Sequence, residues 1–176
     1  VIAAIESVGG VGVAVMQWAG PSYQTLVLRW THVFDAASAN RVADRIETER
    51  RVVFGTTSID KALWASITAF RTSGFQGRRR VIDVSGDGRT NFGPNPDAMR
   101  DRAVARGIIV NGLPILNEEP DLDRYYRRFV VGGPGAFLMT ADSYEDFAAA
   151  MRLKLIREIK GPPVAARTGV VTAQRR

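Results

Sequence analysis

Three oxygen-bearing side chains stand two positions apart in the stretch VIDVSGDGRTN, at Asp83, Ser85 and Asp87. Carboxylate and hydroxyl oxygens are the ligands that hard cations such as Mg²⁺ and Ca²⁺ prefer in proteins. The stretch begins with an apolar, β-branched run and continues into an Asp-Gly turn, so it predicts a strand followed by a loop. The residue types therefore point to a cation, and three kinds of site could explain their spacing.

A calcium loop of the EF-hand type is the first candidate. Asp83, Ser85, Asp87 and Gly88 match the first, third, fifth and sixth positions of such a loop. The last position should be a bidentate Glu, but Pro94 stands there. The preceding segment is a predicted strand, whereas an EF-hand loop follows a helix. The pattern therefore argues against an EF-hand.

A pair of catalytic carboxylates is the second candidate, because two neighbouring aspartates can divide the roles of acid and base. The sequence contains a single histidine, His32, and no cysteine. No pairing of a nucleophile with a base can be assembled from these residues. A metal-assisted hydrolase that uses the Asp cluster nevertheless stays open as an alternative function.

A cation held by several loops at one edge of a sheet is the third candidate. The stretch FGTTSIDKAL places Thr57 and Ser58 directly before a helix, and SGDGRTN places Asp87 after a strand. Loops that follow parallel strands meet at the carboxyl edge of the sheet, where ligands bind. An equally open interpretation is that Thr57 or Ser58 only caps the helix and that Asp87 only forms a turn.

Strands and helices alternate along the chain, which is typical of a mostly parallel sheet covered on both faces. The patterns predict an antiparallel hairpin, three later strands at 79–85, 108–116 and 136–141, and helices between them. The tryptophans Trp18, Trp30 and Trp64 are expected to pack in the core or on the hairpin. The opening stretch VIAAIESVGG predicts the end of a helix, and we expect the chain to be N-terminally truncated.

Length and composition predict one domain at 1–160 and a flexible basic tail at 161–176. The formal charge of +6 comes almost entirely from arginines that are spread along the sequence. No aromatic residues interleave with a basic cluster in the sequence, so we expect no nucleic-acid partner. No apolar run is long enough to predict a membrane span.

Five stretches together resemble the von Willebrand factor type A domain. They are VMQWAG, FGTTSIDKAL, RRVIDVSGDGRTNFGP, GIIVNGLPIL and the segment that runs from DLDRYYRRFV to LKLIREI. The closer resemblance is to a bacterial family of that superfamily, domain-of-unknown-function family 1194. It implies a doubly wound α/β fold with a mostly parallel sheet, one antiparallel edge strand and helices on both faces.

The resemblance also implies a divalent cation, Mg²⁺ or else Mn²⁺ or Ca²⁺, held by three loops. Thr57 matches the Thr of the second loop and Asp87 the Asp of the third, whereas Ser58, Asp83 and Ser85 would support the site. The Asp-x-Ser-x-Ser of the first loop has no counterpart before the hairpin. We therefore expect the first, central strand to be missing and cation binding to be weak or absent.

A partner protein whose acidic side chain completes the coordination is what the resemblance implies for function. It implies a protein-interaction module, not an enzyme, and export to the periplasm or beyond; a metal-free scaffold is a further alternative. Because both faces of its strand are covered, Asp83 needs a counter-ion, which we expect to be an arginine. Without its first strand, the domain is expected to be poorly stable.

Overall fold

The computed structural model describes residues 1–49 and 55–161. Apart from its first residue, the predicted flexible tail at 161–176 lies outside the described residues. The described elements are, in chain order, α1 (Ile2–Ser7), β1 (Val11–Trp18), β2 (Gln24–Val33), α2 (Ala36–Glu47), α3 (Ile59–Phe70), β3 (Arg80–Gly86), α4 (Asp97–Val104), β4 (Ile108–Pro114), α5 (Leu122–Tyr125), which continues as one π-helical turn (Tyr126–Val130), and α6 (Tyr144–Lys160).

Strands β1 and β2 form the predicted antiparallel hairpin. The ladder runs from the pair Val11 and Val33 to the pair Trp18 and Gln24, with irregular register around Val15. Within β2, the Trp30 indole N–H donates to the Ala69 carbonyl at 3.0 Å. The hairpin is thereby attached to the end of α3.

Strands β3 and β4 pair in parallel, from Arg80 opposite Ile108 to Gly86 opposite Pro114. Successive side chains of a strand point to opposite faces. Ile82 and Val84 of β3 therefore enter the main core with α3 and α4, while Asp83 points to α6 on the other face. The predicted α/β class, with a parallel pair, an antiparallel pair and helices on both faces, is confirmed.

The predicted continuous strand at 136–141 is wrong. The backbone of this segment pairs with β4 and the following Ile115 only through isolated parallel bridges, at Leu138 and at Ala141. Its backbone exchanges hydrogen bonds with Gly112 and, further along, Ala141 N–H donates to the Pro114 carbonyl. A continuous ladder would need a bond donated by residue 114 between these points, and a proline has no N–H to donate. Pro114 therefore divides the pairing.

The hairpin and the parallel pair are separate in the part of the chain that the structure describes, since no backbone ladder joins β1 to β3. Every residue of β1 is half-buried or exposed. By contrast, β4 carries several fully buried residues, because the main core and α6 cover its two faces. The hairpin is therefore the less enclosed half of the fold.

The expectation of a core or hairpin position is wrong for one tryptophan. Trp64 on α3 is 53% exposed. Trp18 packs against the main core. The ring centroids of Trp30 and Phe70 lie 5.0 Å apart. Helix α3 therefore buries one apolar face, through Ile59, Leu63 and Ile67, and presents a tryptophan on another.

Candidate metal centre

The loop before α3 and the loop after β3 are hydrogen-bonded to each other. The N–H groups of Asn91 and Phe92 donate to the Thr57 carbonyl at 3.0 and 3.2 Å. In return, the Thr57 N–H donates to Asn91 Oδ1 at 2.7 Å. Both backbone groups of Thr57 are thus fixed by the Asp87 loop, and the structure brings the two predicted loops together.

Ser58 occupies the N-cap position of α3, yet its side chain does not cap the helix. Its fully buried hydroxyl lies 2.8 Å from Asp60 Oδ1 and 3.1 Å from the Phe92 carbonyl oxygen. The Ile59 N–H instead donates to Thr90 Oγ1 at 3.2 Å. Helix capping by the Ser58 hydroxyl is therefore wrong; its hydrogen bonds tie α3 to the Asp87 loop.

Thr57 and Asp87 are both half-buried. Thr57 precedes the N-cap position and therefore does not cap α3. Asp87 Oδ2 accepts a hydrogen bond from the Tyr144 hydroxyl at the start of α6. The carboxylate is thus oriented by Tyr144, which lies far from Asp87 in the sequence and which no motif connects with it.

Asp83 pairs with a lysine and not with the expected arginine. Its Oδ1 lies 2.5 Å from Lys154 Nζ, and the same ammonium lies 2.5 Å from Glu158 Oε1. Lys154 of α6 is fully buried, and its long side chain reaches across to the sheet. Asn111 of β4 donates to Glu158 Oε1 at 2.7 Å and accepts from Phe137 N–H at 2.9 Å.

Burial raises the pKa of Asp83 to about 6, because the charged form loses its hydration. The Lys154 ammonium opposes this rise in pKa, and the neighbouring Glu158 carboxylate adds to it. Asp83 is therefore bound into the packing of α6 on the sheet. Ser85 lies on the same face of β3 as Asp83, and it pairs with Leu113 of β4.

Tyr126 is a fully buried residue near the candidate site. Its hydroxyl is buried and has no hydrogen-bond partner among residues 1–49 and 55–161. A methyl group added to Gly86, at the end of β3, would lie 3.0 Å from that hydroxyl. Burial raises the Tyr126 pKa, and the Asp87 charge raises it further, so the phenol keeps its proton. Only the folded chain shows this donor at the end of β3.

Arg89 joins the Asp87 loop to the acidic loop that follows β4. Its guanidinium lies 2.7 Å from Glu119 Oε2 and 2.6 Å from Asp121 Oδ1, and it stands over the Tyr125 ring. The hydrogen bond from Arg89 holds the pKa of Asp121 below its ordinary value. The acidic loop therefore lies at this edge, partly neutralised by Arg89.

The oxygen ligands at this edge are of the type that a hard cation prefers, but they are too few to fill its coordination sphere. Thr57 and Asp87 supply hydroxyl and carboxylate oxygens, whereas Mg²⁺ takes six oxygen ligands. No group of three or more His, Asp or Glu side chains in the described ranges could hold a metal ion. Asp83 Oδ1 is paired with Lys154, and the Ser58 hydroxyl is hydrogen-bonded to Asp60, so both side chains are engaged within the fold. A cation at this edge would need oxygens from water or from another chain.

The profile of the family described as "Protein of unknown function (DUF1194)" matches residues 1–163. The chain belongs to this family. The predicted resemblance of this DUF1194 chain to the von Willebrand factor type A fold is likewise confirmed. No curated protein matches its sequence significantly.

Solved structures of proximal thread matrix protein 1 from the mussel byssus are similar to the DUF1194 chain. One crystal form gives a TM-score of 0.65 at 18% identity and covers 87% of this chain. Another gives 0.61 at 16% identity and 88% coverage. A third, described as having a zinc-occupied MIDAS motif, gives 0.55 at 16% identity and 83% coverage. The chain spans only 38%, 37% and 35% of those proteins, so the likeness is one of fold.

Proposed function

We propose that this DUF1194 chain is a protein-interaction module that uses a divalent cation at the carboxyl edge of its parallel strands. Thr57 and Asp87 would be ligands to the cation, and Ser58, Asp83 and Ser85 would support the loops that carry them. The observation that carries the proposal is the mutual hydrogen bonding of the two loops through Thr57 and Asn91. Both loops follow the chain order and spacing that the resemblance implies.

The cation would be Mg²⁺, Mn²⁺ or Ca²⁺, each of which prefers oxygen ligands. One fold relative is described with a zinc-occupied MIDAS motif, a metal-ion-dependent adhesion site, which supports a divalent cation in this fold. Water and an acidic side chain from a partner protein would fill the remaining positions. Two protein ligands alone predict weak binding.

Binding, not catalysis, is the proposed mode of action. The fold relatives are described as thread matrix proteins, which supports a non-enzymatic role. The only histidine, His32, lies on β2 against the Phe34 and Phe75 rings. The source of those relatives in a byssus also supports export of this chain. No helix in the described ranges is long and apolar enough to cross a membrane.

Paramagnetic Mn²⁺ tests the ligand assignment even when binding is weak. Amide signals of 55–59 and 86–92 are expected to broaden as Mn²⁺ is added to the labelled chain, because both loops would surround the ion. Excess Mg²⁺ should reverse the broadening. Asp87→Asn removes the charged ligand and should weaken the broadening about tenfold or more.

Asp44→Asn is the matched control, because Asp44 is an exposed aspartate on α2 away from both loops. Its spectrum should respond to Mn²⁺ as the parent does. Broadening that is unchanged in Asp87→Asn, or that appears elsewhere on the surface, would exclude Asp87 as a ligand. A folded chain without any broadening would favour the metal-free scaffold.

A further inference from the structure

A groove between α3 and α4 opens at the end of the parallel strands opposite to Thr57 and Asp87. Its first part has a volume of about 120 Å³. It lies between Trp64 of α3 and Arg71, the residue that follows α3, on one side and Met99 and Arg102 of α4 on the other. The adjoining part measures about 240 Å³ and reaches the start of β3 at Arg80. Ile67, Arg71 and Arg106 line both parts, so the two hollows form one continuous groove.

The groove carries four arginines and, among the described residues that line it, no acidic side chain. Arg106 and Arg80 donate to backbone carbonyls, of Arg102 and Arg106 respectively. The guanidinium groups of Arg71 and Arg102 have no hydrogen-bond or ion-pair partner within residues 1–49 and 55–161. These two can therefore receive carboxylates from outside, with the forked geometry that arginine offers.

Apolar surface lies directly beside these charges. Trp64 is 53% exposed at one side of the groove, and Ile67 and Met99 lie at its floor. Exposed aromatic side chains next to arginines are typical of the residues that dominate binding energy at protein interfaces. The sequence does not show this arrangement, because β3 separates Trp64 and Arg71 from Arg102 in the chain.

We propose that this groove docks an acidic segment of a partner protein, with an apolar side chain against Trp64 and carboxylates on Arg71 and Arg102. The two adjoining hollows run from Trp64 and Met99 to the start of β3 at Arg80, which favours an extended chain lying across the surface. The chain's own residues 162–176 contain arginines and no acidic residue, so they lack the complementary charge. This surface is independent of the cation site.

An apolar floor and a single exposed tryptophan favour a peptide over a nucleic acid. Single-stranded nucleic acids bind along basic grooves with several aromatic side chains that stack successive bases. Here Trp64 is the exposed aromatic residue, because Phe70 at the inner part of the groove packs against Trp30. Ile67 and Met99 offer contacts to aliphatic side chains. The chemistry that fits is a peptide of alternating carboxylate and apolar residues.

Fluorescence anisotropy with a labelled peptide of alternating glutamate and leucine tests the surface. The same peptide with glutamine in place of glutamate is the neutral probe, and a mixed-sequence single-stranded DNA is the competing probe. The acidic peptide should bind, the neutral one should bind about tenfold or more weakly, and salt should weaken the acidic complex. The double variant Arg71→Glu with Arg102→Glu should lose about tenfold or more in affinity for the acidic peptide.

Arg29→Glu with Arg152→Glu is the matched control, since both arginines are exposed, lie outside the groove and give the same change in net charge. It should keep the affinity within about twofold. Trp64→Ala, which leaves all charges in place, should also weaken the acidic peptide. If both double variants lost the same affinity for the acidic peptide, the effect would come from net charge alone, and the proposal would be overturned.

Two further outcomes would also overturn the choice of occupant. Tighter binding of the DNA than of the acidic peptide, lost on Arg71→Glu with Arg102→Glu, would make the groove a nucleic-acid surface. Self-association that depends on Arg71 and Arg102 would make a second copy the occupant. Circular dichroism of each variant confirms that its fold is intact before the affinities are compared.

Discussion

At the scale of single residues, the most consequential group is the buried ammonium between two carboxylates. Lys154 lies 2.5 Å from both Asp83 and Glu158, so one positive charge faces two potential negative charges. Only one carboxylate is needed to neutralise the ammonium, and the second is costly to ionise in a buried position. The raised pKa of Asp83, about 6, assigns to Asp83 the proton that this site binds below about pH 6.

Replacement of this carboxyl by an amide, in Asp83→Asn, tests that assignment. The folded pKa of about 6 exceeds the ordinary value of about 3.9, so the parent loses stability as the pH rises from about 4 through 6. The pKa difference of about two units corresponds to at most about 3 kcal/mol. Asp83→Asn stays neutral throughout and should lack this loss, so it should equal or exceed the parent in free energy of unfolding near pH 8.

Urea unfolding of both proteins at about pH 4 and about pH 8 measures the difference, with the exposed Asp44→Asn as the control for general charge effects. Lys154 keeps Glu158 as its partner in the variant. If Asp83→Asn is several kcal/mol less stable than the parent at about pH 8, the ionised Asp83 pair stabilises the fold and the assignment of the proton is wrong.

The partner of Asp83 shows what a sequence can predict about a buried charge. A carboxylate within a covered strand requires a counter-ion, and that requirement is visible in VIDVS itself. The identity of the counter-ion depends on which helix packs on that face and in which rotation. Lys154 stands among other charged residues of α6, such as Arg152 and Arg157, and only the packed helix shows which one faces inward.

At the scale of elements, the order of strands and helices was predictable, because their periodicities are local. Helix α3, strand β3 and helix α6 follow directly from apolar spacing and from the Gly and Ser residues at their ends. The prediction of a strand at 136–141 was wrong, because Pro114 in the neighbouring strand interrupts its pairing. A strand's continuity thus depends on its partner, which local patterns do not contain.

The hydrogen bonds between the loop before α3 and the loop after β3 connect the two loops that carry the proposed cation ligands. Asn91 is exposed, yet its side chain holds the Thr57 N–H at 2.7 Å. Asn91→Ala should cost about 0.5–1.5 kcal/mol in stability, because one hydrogen bond is lost where water can replace it only partly. Hydrogen exchange of the Thr57 amide should accelerate, and Mn²⁺ broadening of 55–59 should weaken.

Asn40→Ala serves as the control, since Asn40 is an exposed asparagine on α2. It should change neither the Thr57 exchange rate nor the response to Mn²⁺. If Asn91→Ala accelerates exchange at Thr57 yet leaves the response of 55–59 to Mn²⁺ intact, the connection is structural and does not position a ligand.

At the scale of the whole molecule, the described fold consists of two ladders, each with an open edge. Strand β1 is bonded to β2 on one side and β3 to β4 on one side, and no described strand lies between β1 and β3. Open edges leave backbone N–H and C=O groups to water or to another strand. The absence of any fully buried residue in β1 agrees with incomplete coverage.

Hydrogen exchange along β1 and β3 tests whether these edges are open in solution. The β3 amides that bond to β4 should be protected, because Val110 and Leu113 at that interface are fully buried. The β3 amides that point away from β4 should exchange about tenfold faster or more, as should the β1 amides that point away from β2. Protection of both edges in a monomeric sample would show that another segment covers them. Such coverage would add backbone at the carboxyl edge, and with it further oxygens beside Thr57 and Asp87.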